Sequence, residues 1–143
     1  MPAQDYSVGR DVSLVIFTNQ GVIGTSLLTS FDARPIMADI KVIGIDGVMH
    51  PAYLPEGHEG SFEVARTDSG LDDYFAALEE NYYEGADLPQ GTITETIQER
   101  DGSVSQYRYE KVALKLADAG SYKGNAEVRQ KIDFMASRKK KVL

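Results

Sequence analysis

The two histidines are the residues of this sequence best suited to bind a metal or to exchange a proton near neutral pH. His50 and His58 stand eight residues apart, and Glu56 and Glu59 flank the second of them. A zinc site would require these side chains to converge from a segment rich in proline and glycine, whereas zinc ligands usually come from short, regular spacings. Exposed loop histidines are the more ordinary interpretation, so we predict no metal and no cofactor.

Two pairs of adjacent acids offer the next possible chemistry. Asp72 and Asp73, and then Glu79 and Glu80, lie in a segment with helical periodicity. Neighbouring residues on a helix point in different directions, so neither pair can flank a substrate as glycosidase carboxylates do. The sequence also has no cysteine, no G-x-S-x-G motif, no P-loop and no Gly-x-Gly-x-x-Gly motif after a strand. We predict that the protein is not an enzyme, and scattered catalytic acids are the alternative.

The charge balance argues against a protein that grips nucleic acid. The 15 Lys and Arg residues oppose 22 Asp and Glu residues, giving a net charge of -7, whereas phosphate binding requires cations. One basic run closes the sequence without aromatic residues between its charges for base stacking. We predict a solvated basic tail over residues 138–143, and docking against an acidic neighbouring subunit is the alternative. The run consists of Arg138, Lys139, Lys140 and Lys141.

The composition predicts one soluble domain that folds by packing alone. With no cysteine in 143 residues, disulfides and thiolate metal sites are excluded. No apolar run approaches the roughly 20 residues of a membrane span, and the predicted N-terminal arm, residues 1–11, has no apolar signal core. We therefore expect a protein that is made in the cytoplasm and does not enter a membrane.

Most of the predicted elements are strands. Val12–Thr18 is a short apolar run that predicts a buried strand, and Asp-Gly pairs mark two long hairpins, over residues 36–54 and 92–116. In the second hairpin the apolar parity changes between Tyr109 and Val112, which predicts a β-bulge near Glu110.

A single helix is predicted between the two hairpins. Ser69 and Asp72 have the spacing of a capping box, and Gly85 is placed to end the helix. One apolar stripe predicts packing against a sheet. The stripe consists of Leu71, Tyr74, Phe75, Leu78 and Tyr82.

The first hairpin has two unequal faces. Ile36, Ala38, Ile40 and Val42 alternate as a complete apolar side, which predicts that they face the core. The intervening residues mix charge with apolar side chains and must face something else. The return arm, residues 47–60, holds two prolines and several glycines, which suit an exposed arm better than a central strand.

The order of these elements resembles that of a bacteriophage tail tube protein. The residues that carry the resemblance are the hairpin 36–54, the strand 60–66, the helix 71–83 and a meander that ends in Gln130-x-x-x-Phe134. The resemblance covers most of the chain and is one of topology. It implies a mainly β domain, a sandwich or half-barrel with a long hairpin and one flanking helix, which closes into a β-barrel when rings assemble.

The resemblance also implies a role, partners and contact surfaces. Such proteins form six-membered rings that stack into the virion's hollow tail tube, and DNA passes through without specific binding. Expected partners are further copies of the chain and the sheath, tape-measure, baseplate and tail terminator proteins. The implied lumen or subunit-contact residues are Met37, Asp39, Lys41, Ile43, Glu95 and Glu99. The implied inter-ring arm consists of Met49, His50, Tyr53 and Leu54.

Two alternative functions fit the same pattern. One is an inner-tube protein of a secretion system or of a contractile bacteriocin. The other is a monomeric β-sandwich that binds carbohydrate, for which exposed tyrosines would provide the platform.

Overall fold

The computed structural model describes residues 12–18, 21–23, 28–67 and 69–142. Residues 1–11, where an N-terminal arm is predicted, lie outside this part of the chain. Eight strands and one helix fall within it. They are β1 (Val12–Thr18), β2 (Gly21–Ile23), β3 (Leu28–Ile43), β4 (Met49–Ala65), α1 (Gly70–Tyr83), β5 (Gly91–Gln98), β6 (Val104–Asp118), β7 (Arg129–Ala136) and β8 (Arg138–Lys141).

All strand pairs are antiparallel, and β6 belongs to two sheets. The first half of β6 pairs with β5 on one side and with β8 on the other, while β1 and β2 extend that sheet beyond β5. We call it sheet A. The second half of β6 pairs with β7, which is followed by β4 and β3 in sheet B. The strand order among the described residues is open, and the predicted mainly β fold with one flanking helix is confirmed.

A β-bulge lets β6 pass from one sheet to the other. Gly91 pairs with Val112 but Ile93 pairs with Tyr109, so β6 has one extra residue in this interval. Lys111 takes up the difference with a positive φ of 53°, a conformation uncommon for a residue with a side chain. The predicted bulge near Glu110 is confirmed.

Both predicted Asp-Gly turns are present and have the same construction. In the first, the side chain of Asp46 accepts a hydrogen bond from the Val48 N–H at 3.0 Å, and Gly47 has a φ of 81°. In the second, Asp101 accepts from the Ser103 N–H at 2.9 Å, and Gly102 has a φ of 93°. Aspartate closes the turn and glycine adopts the left-handed conformation, as turn chemistry requires.

The core lies between the inner faces of the two sheets and is closed by α1. Leu71 and Tyr74 of the helix are buried, and Phe75 and Leu78 pack against the same cluster, as predicted. Tyr82 is 56% exposed, so the predicted stripe is wrong at its last member. The buried strand residues include Leu14, Ile16, Phe62, Val64, Ile93, Tyr109, Val112, Ile132 and Phe134.

The start of α1 differs from the predicted capping box. Ser69 precedes the helix, but its hydroxyl donates to the Asp73 carboxylate at 2.9 Å and does not accept from the helix backbone. Asp72 instead joins the helix to the sheets, because it pairs with Arg66 at 2.9 Å and accepts from the Gln130 amide at 2.7 Å. Gln130 is 1% exposed, so this contact satisfies a buried polar group.

The basic C-terminal run is a strand and not the predicted tail, although most of its side chains are exposed. Residues 138–141 form β8 and pair with Tyr107 to Glu110 of β6. The Lys140 ammonium lies 3.2 Å from Glu110 Oε1, which is itself buried. The backbone of β8 thus adds one strand at an edge of sheet A, and charged side chains are common on such edge strands. No helix among the described residues is long and apolar enough to cross a membrane.

Candidate assembly surface

The distal half of the β3–β4 hairpin projects beyond the rest of the fold. β7 accompanies β4 only over His58 to Ala65, so residues 36–57 form a two-stranded ribbon with no further ladder among the described residues. We call this segment the ribbon. Pro51 and Pro55 lie in it, where a missing N–H costs least because one edge of the strand is free. The return arm is therefore part of β4, and its residues 49–56 are exposed as predicted.

The register of the ribbon assigns each residue to one of two faces. Ile40 lies opposite Ala52, and Val42 lies opposite His50. Directly opposed residues share a face, so one face is largely apolar. We call it the even face. The odd face consists of Met37, Asp39, Lys41, Ile43, Met49, Pro51, Tyr53 and Pro55, so it brings the four predicted contact residues of β3 together with two of the predicted inter-ring arm.

Neither face of the ribbon is covered by the described chain. Ile40 is 41% exposed and Val42 is 57% exposed, so the prediction that they belong to the core of the protomer was wrong. A contiguous apolar surface of this kind usually marks a contact with another molecule. The large apolar side chains exposed along the ribbon and its turn are Met37, Ile40, Val42, Ile43, Ile45, Val48, Met49, Tyr53 and Leu54.

A second bulge lies at the base of the ribbon. Ile36 pairs with Gly57 and Met37 with Pro55, so Glu56 has no partner on β3. A Cβ atom on Gly57 would lie 2.8 Å from the carbonyl oxygen of Ala136, which explains why only glycine fits there. The bulge lies where the pairing of β4 with β7 ends, and a bulge of this kind bends its strand.

A cluster of charges lies on the outer face of sheet B at the foot of the ribbon. Arg34 pairs with Glu59 at 3.2 Å and with Asp32 at 3.4 Å, and the Ser61 hydroxyl donates to Asp32 at 2.8 Å. The Ser61 hydrogen bond is the main cause that lowers the pKa of Asp32. These groups are exposed, so each pair contributes at most about 1 kcal/mol. They line an open cleft of about 500 Å³ together with Lys115, Lys131 and Asp133.

The two glutamates predicted as lumen or contact residues lie apart from the ribbon. Glu95 is 7% exposed and belongs to the inner face of sheet A, so its carboxylate is inside the protomer. Burial raises the pKa of Glu95, and the charge of Lys139 acts in the opposite direction. The Lys139 ammonium lies 4.6 Å from the ring centre of Tyr107 and 5.3 Å from that of Tyr109. Glu99 is half-buried where the second Asp-Gly turn begins.

The histidines do not form a metal site. His50 is on the ribbon, while His58 lies near the core, with its ring centre 5.9 Å from that of Tyr109. Burial is the main cause that lowers the pKa of His58. Within the described ranges, no three His, Asp or Glu side chains are arranged to hold a metal ion.

One exposed apolar surface could not be predicted from the sequence. Val15, Phe17 and Val22 share the outer face of sheet A, and Phe17 is 47% exposed. The prediction that β1 is buried is therefore correct for only one of its two faces. Alternation cannot reveal this, because apolar residues occupy both faces of the strand, a pattern typical of strands covered on both sides.

No protein-family model and no curated protein matches the sequence, whereas several solved structures match the fold. A chain of the PVC sheath/tube terminator, from an extracellular contractile injection system, has a TM-score of 0.66 at 12% identity over 100% of this chain and 98% of that one. A chain of the PVC sheath-tube complex has a TM-score of 0.69 at 12% identity over 96% of this chain and 93% of that one. A chain of the anti-feeding prophage tube terminating cap has a TM-score of 0.67 at 10% identity over 99% of this chain and 94% of that one.

A more distant likeness extends this set to another particle. A chain from the virion of a native gene transfer agent matches with a TM-score of 0.53 at 12% identity over 96% of this chain and 100% of that one. At such identities the likeness concerns the fold. The protein therefore has the fold of components of contractile injection systems and related particles, and the resemblance inferred from the sequence is confirmed at that level.

Proposed function

We propose that this protein is a structural subunit of a phage tail or a tail-like particle, and that six copies form a ring within its tube. The ribbon is the observation that carries the proposal. It exposes apolar side chains on both faces, and its strand edges are free among the described residues. The shared fold with chains of sheath-tube and terminator structures supports the same conclusion.

Ring formation would remove a physical liability of the isolated chain. A two-stranded ribbon is marginally stable in water, and exposed edges invite unwanted pairing. Packing each ribbon against its neighbours covers its faces, and joining the sheets around a ring into one barrel pairs the edges. The predicted β-barrel would thus be a property of the assembly, to which each open protomer would contribute.

The two faces of the ribbon would have different roles in the ring. The even face is the more apolar one and suits contact between subunits, whereas the odd face carries Asp39 and Lys41 and suits a partly wetted wall or contact. Glu99 remains a candidate for the wall, while the burial of Glu95 gives it a role inside the protomer. A conduit for DNA must not bind the DNA that passes through it, and a net charge of -7 disfavours such binding.

The position of the ring along the particle has two candidates. The TM-scores of 0.69 for a sheath-tube chain and 0.66 for a sheath/tube terminator chain support a tube subunit and a terminator about equally. In either position the ring would contact further tail proteins such as a sheath, a tape-measure protein or a baseplate. The exposed residues Met49, His50, Tyr53 and Leu54 on the ribbon are available for contacts between stacked rings.

Electron microscopy of concentrated protein tests this proposal directly. We expect rings with six-fold symmetry in negative stain, and light scattering should give the mass of six subunits. Stacking of rings into tubes would identify a tube subunit, and rings that remain single would identify a terminator. A protein that stays monomeric at every concentration and binds oligosaccharide would contradict the proposal and favour the carbohydrate-binding alternative.

A further inference from the structure

A basic cleft lies on the outer face of sheet A, whereas the ribbon belongs to sheet B. Phe17 forms one wall, the small residues Gly91, Thr92 and Thr94 form the floor, and Arg108 closes the other side. The cleft is open to solvent and has a volume of about 620 Å³. An exposed aromatic beside a shallow, partly polar depression is a typical place for an aromatic side chain of a partner.

The charge around this cleft is opposite to that of the whole chain. Arg108 and Lys111 line it, and the β6–β8 register places Lys140 beside Arg108 and Arg138 beside Glu110 on the same face. Glu110 is the single carboxylate among these cations. Lys111 and Arg138 form no ion pair with any residue that the structure describes, so the cleft retains positive charge in a protein of net charge -7.

The C-terminal end of α1 has the complementary properties. Glu79, Glu80 and Glu84 are exposed there, and none of them pairs with a cation in the described part of the chain. The last turn of α1 has no basic residue, although the negative end of a helix dipole disfavours acids and favours cations. Tyr82 and Tyr83 lie beside these acids, are 56% and 78% exposed, and pack edge to face with ring centres 5.5 Å apart.

We propose that the acidic, tyrosine-bearing end of α1 in one copy docks in the basic cleft of the next copy. The inference rests on the proposed ring and names a contact within it. Both halves of the contact are on one chain, and they match in charge and in aromatic character. Because the two halves are different surfaces, the contact is heterologous and repeats from copy to copy, as a closed ring requires. A basic partner protein for α1 and an acidic one for the cleft are the competing occupants.

Charge reversal on each surface tests the contact. Glu80→Lys with Glu84→Lys reverses the helix end, and these changes also suit the helix dipole, so the fold should be at least as stable as that of the parent. Lys111→Glu with Arg138→Glu reverses the cleft without removing an ion pair of the protomer. We expect each double variant to weaken self-association by about tenfold or more, since close charge pairs across interfaces couple by more than about 1.4 kcal/mol.

Mixing the two double variants is the decisive measurement. Each variant alone opposes like charges, but an alternating ring of the two restores an attractive contact at every interface, and six is an even number. Sedimentation and electron microscopy should therefore show rings in the mixture and few in either variant alone. Lys123→Glu, an exposed cation outside both surfaces, serves as the control and should assemble like the parent.

The outcomes separate this inference from the proposed function. Rings formed by the parent and by both double variants alike would overturn the contact and leave the ring proposal intact. Loss of assembly in both variants without recovery in the mixture would show that the two surfaces meet different partners, which also overturns it. A parent that never assembles would instead contradict the proposed function.

Discussion

Replacing Ile40 with aspartate should leave the protomer folded and abolish the proposed ring. Ile40 lies on the even face of the ribbon opposite Ala52 and is 41% exposed. The same change at Ile132, which is 0% exposed, would place an unpaired charge in the core and unfold the protein. The difference between the two sites follows from exposure, since both isoleucines lie on strands.

The magnitude can be divided between the protomer and the ring. Burying a complete isoleucine side chain is worth about 1.5–3 kcal/mol, so the part of Ile40 already covered contributes about 1–2 kcal/mol to folding. That loss is small beside the 5–15 kcal/mol that stabilise a typical domain. At each subunit contact the ring would lose the remaining ~1 kcal/mol of isoleucine burial and would also have to desolvate a carboxylate, at a cost of several kcal/mol. This loss would occur at every contact of the ring.

Thermal melting and light scattering of the same sample test this division. We expect Ile40→Asp to melt a few degrees below the parent and to have the mass of a monomer where the parent forms rings. Ile40→Val keeps an apolar, β-branched residue and should still assemble. If Ile40→Asp does not fold, the even face is packed within the protomer; if it forms normal rings, that face is not a subunit contact.

Two further predictions concern other parts of the fold. Phe75→Ala should lower the free energy of unfolding by about 2 kcal/mol, measured by chemical denaturation, because the phenyl group of Phe75 packs on the core. An unchanged denaturation midpoint would show that this side of α1 does not pack on the core. Glu95→Gln should stabilise the protein at pH 7 and have little effect near pH 4. Burial raises the folded pKa of Glu95 above its ordinary 4.5, so the parent loses stability as the pH rises through that raised pKa. A stability difference that does not depend on pH would contradict this assignment.

The local elements of this fold could be predicted from the sequence because their signals are local. Asp46-Gly47 and Asp101-Gly102 encode the turn conformation in their own side chains, and the parity change between Tyr109 and Val112 marks the bulge in β6. The bounds of α1 follow from its apolar stripe and from Gly85, whose φ of 92° ends the helix. None of these features depends on residues distant in the sequence.

The environment of each face could not be predicted in the same way. Alternation shows that Ile40 and Val42 share a face but not whether their own chain covers it, and a face covered only by another copy has the same pattern as a core. Arg138 to Lys141 formed a strand for a related reason. Their backbone pairs with β6, and this pairing cannot be read from their side chains, whose charges indicate only exposure to solvent.

In the proposed ring, the run of cations on β8 would affect how copies of the protein first meet. Two identical strand edges tend to pair antiparallel, which would give a two-fold dimer that cannot grow into a ring. Two β8 edges would oppose Arg138–Lys141 of one copy to the same residues of the other, and like charges facing each other destabilise a ladder. Such a dimer would therefore be disfavoured. In the proposed ring, the remaining contacts would join unlike surfaces, so each partly assembled row of subunits would keep two different ends until it closes.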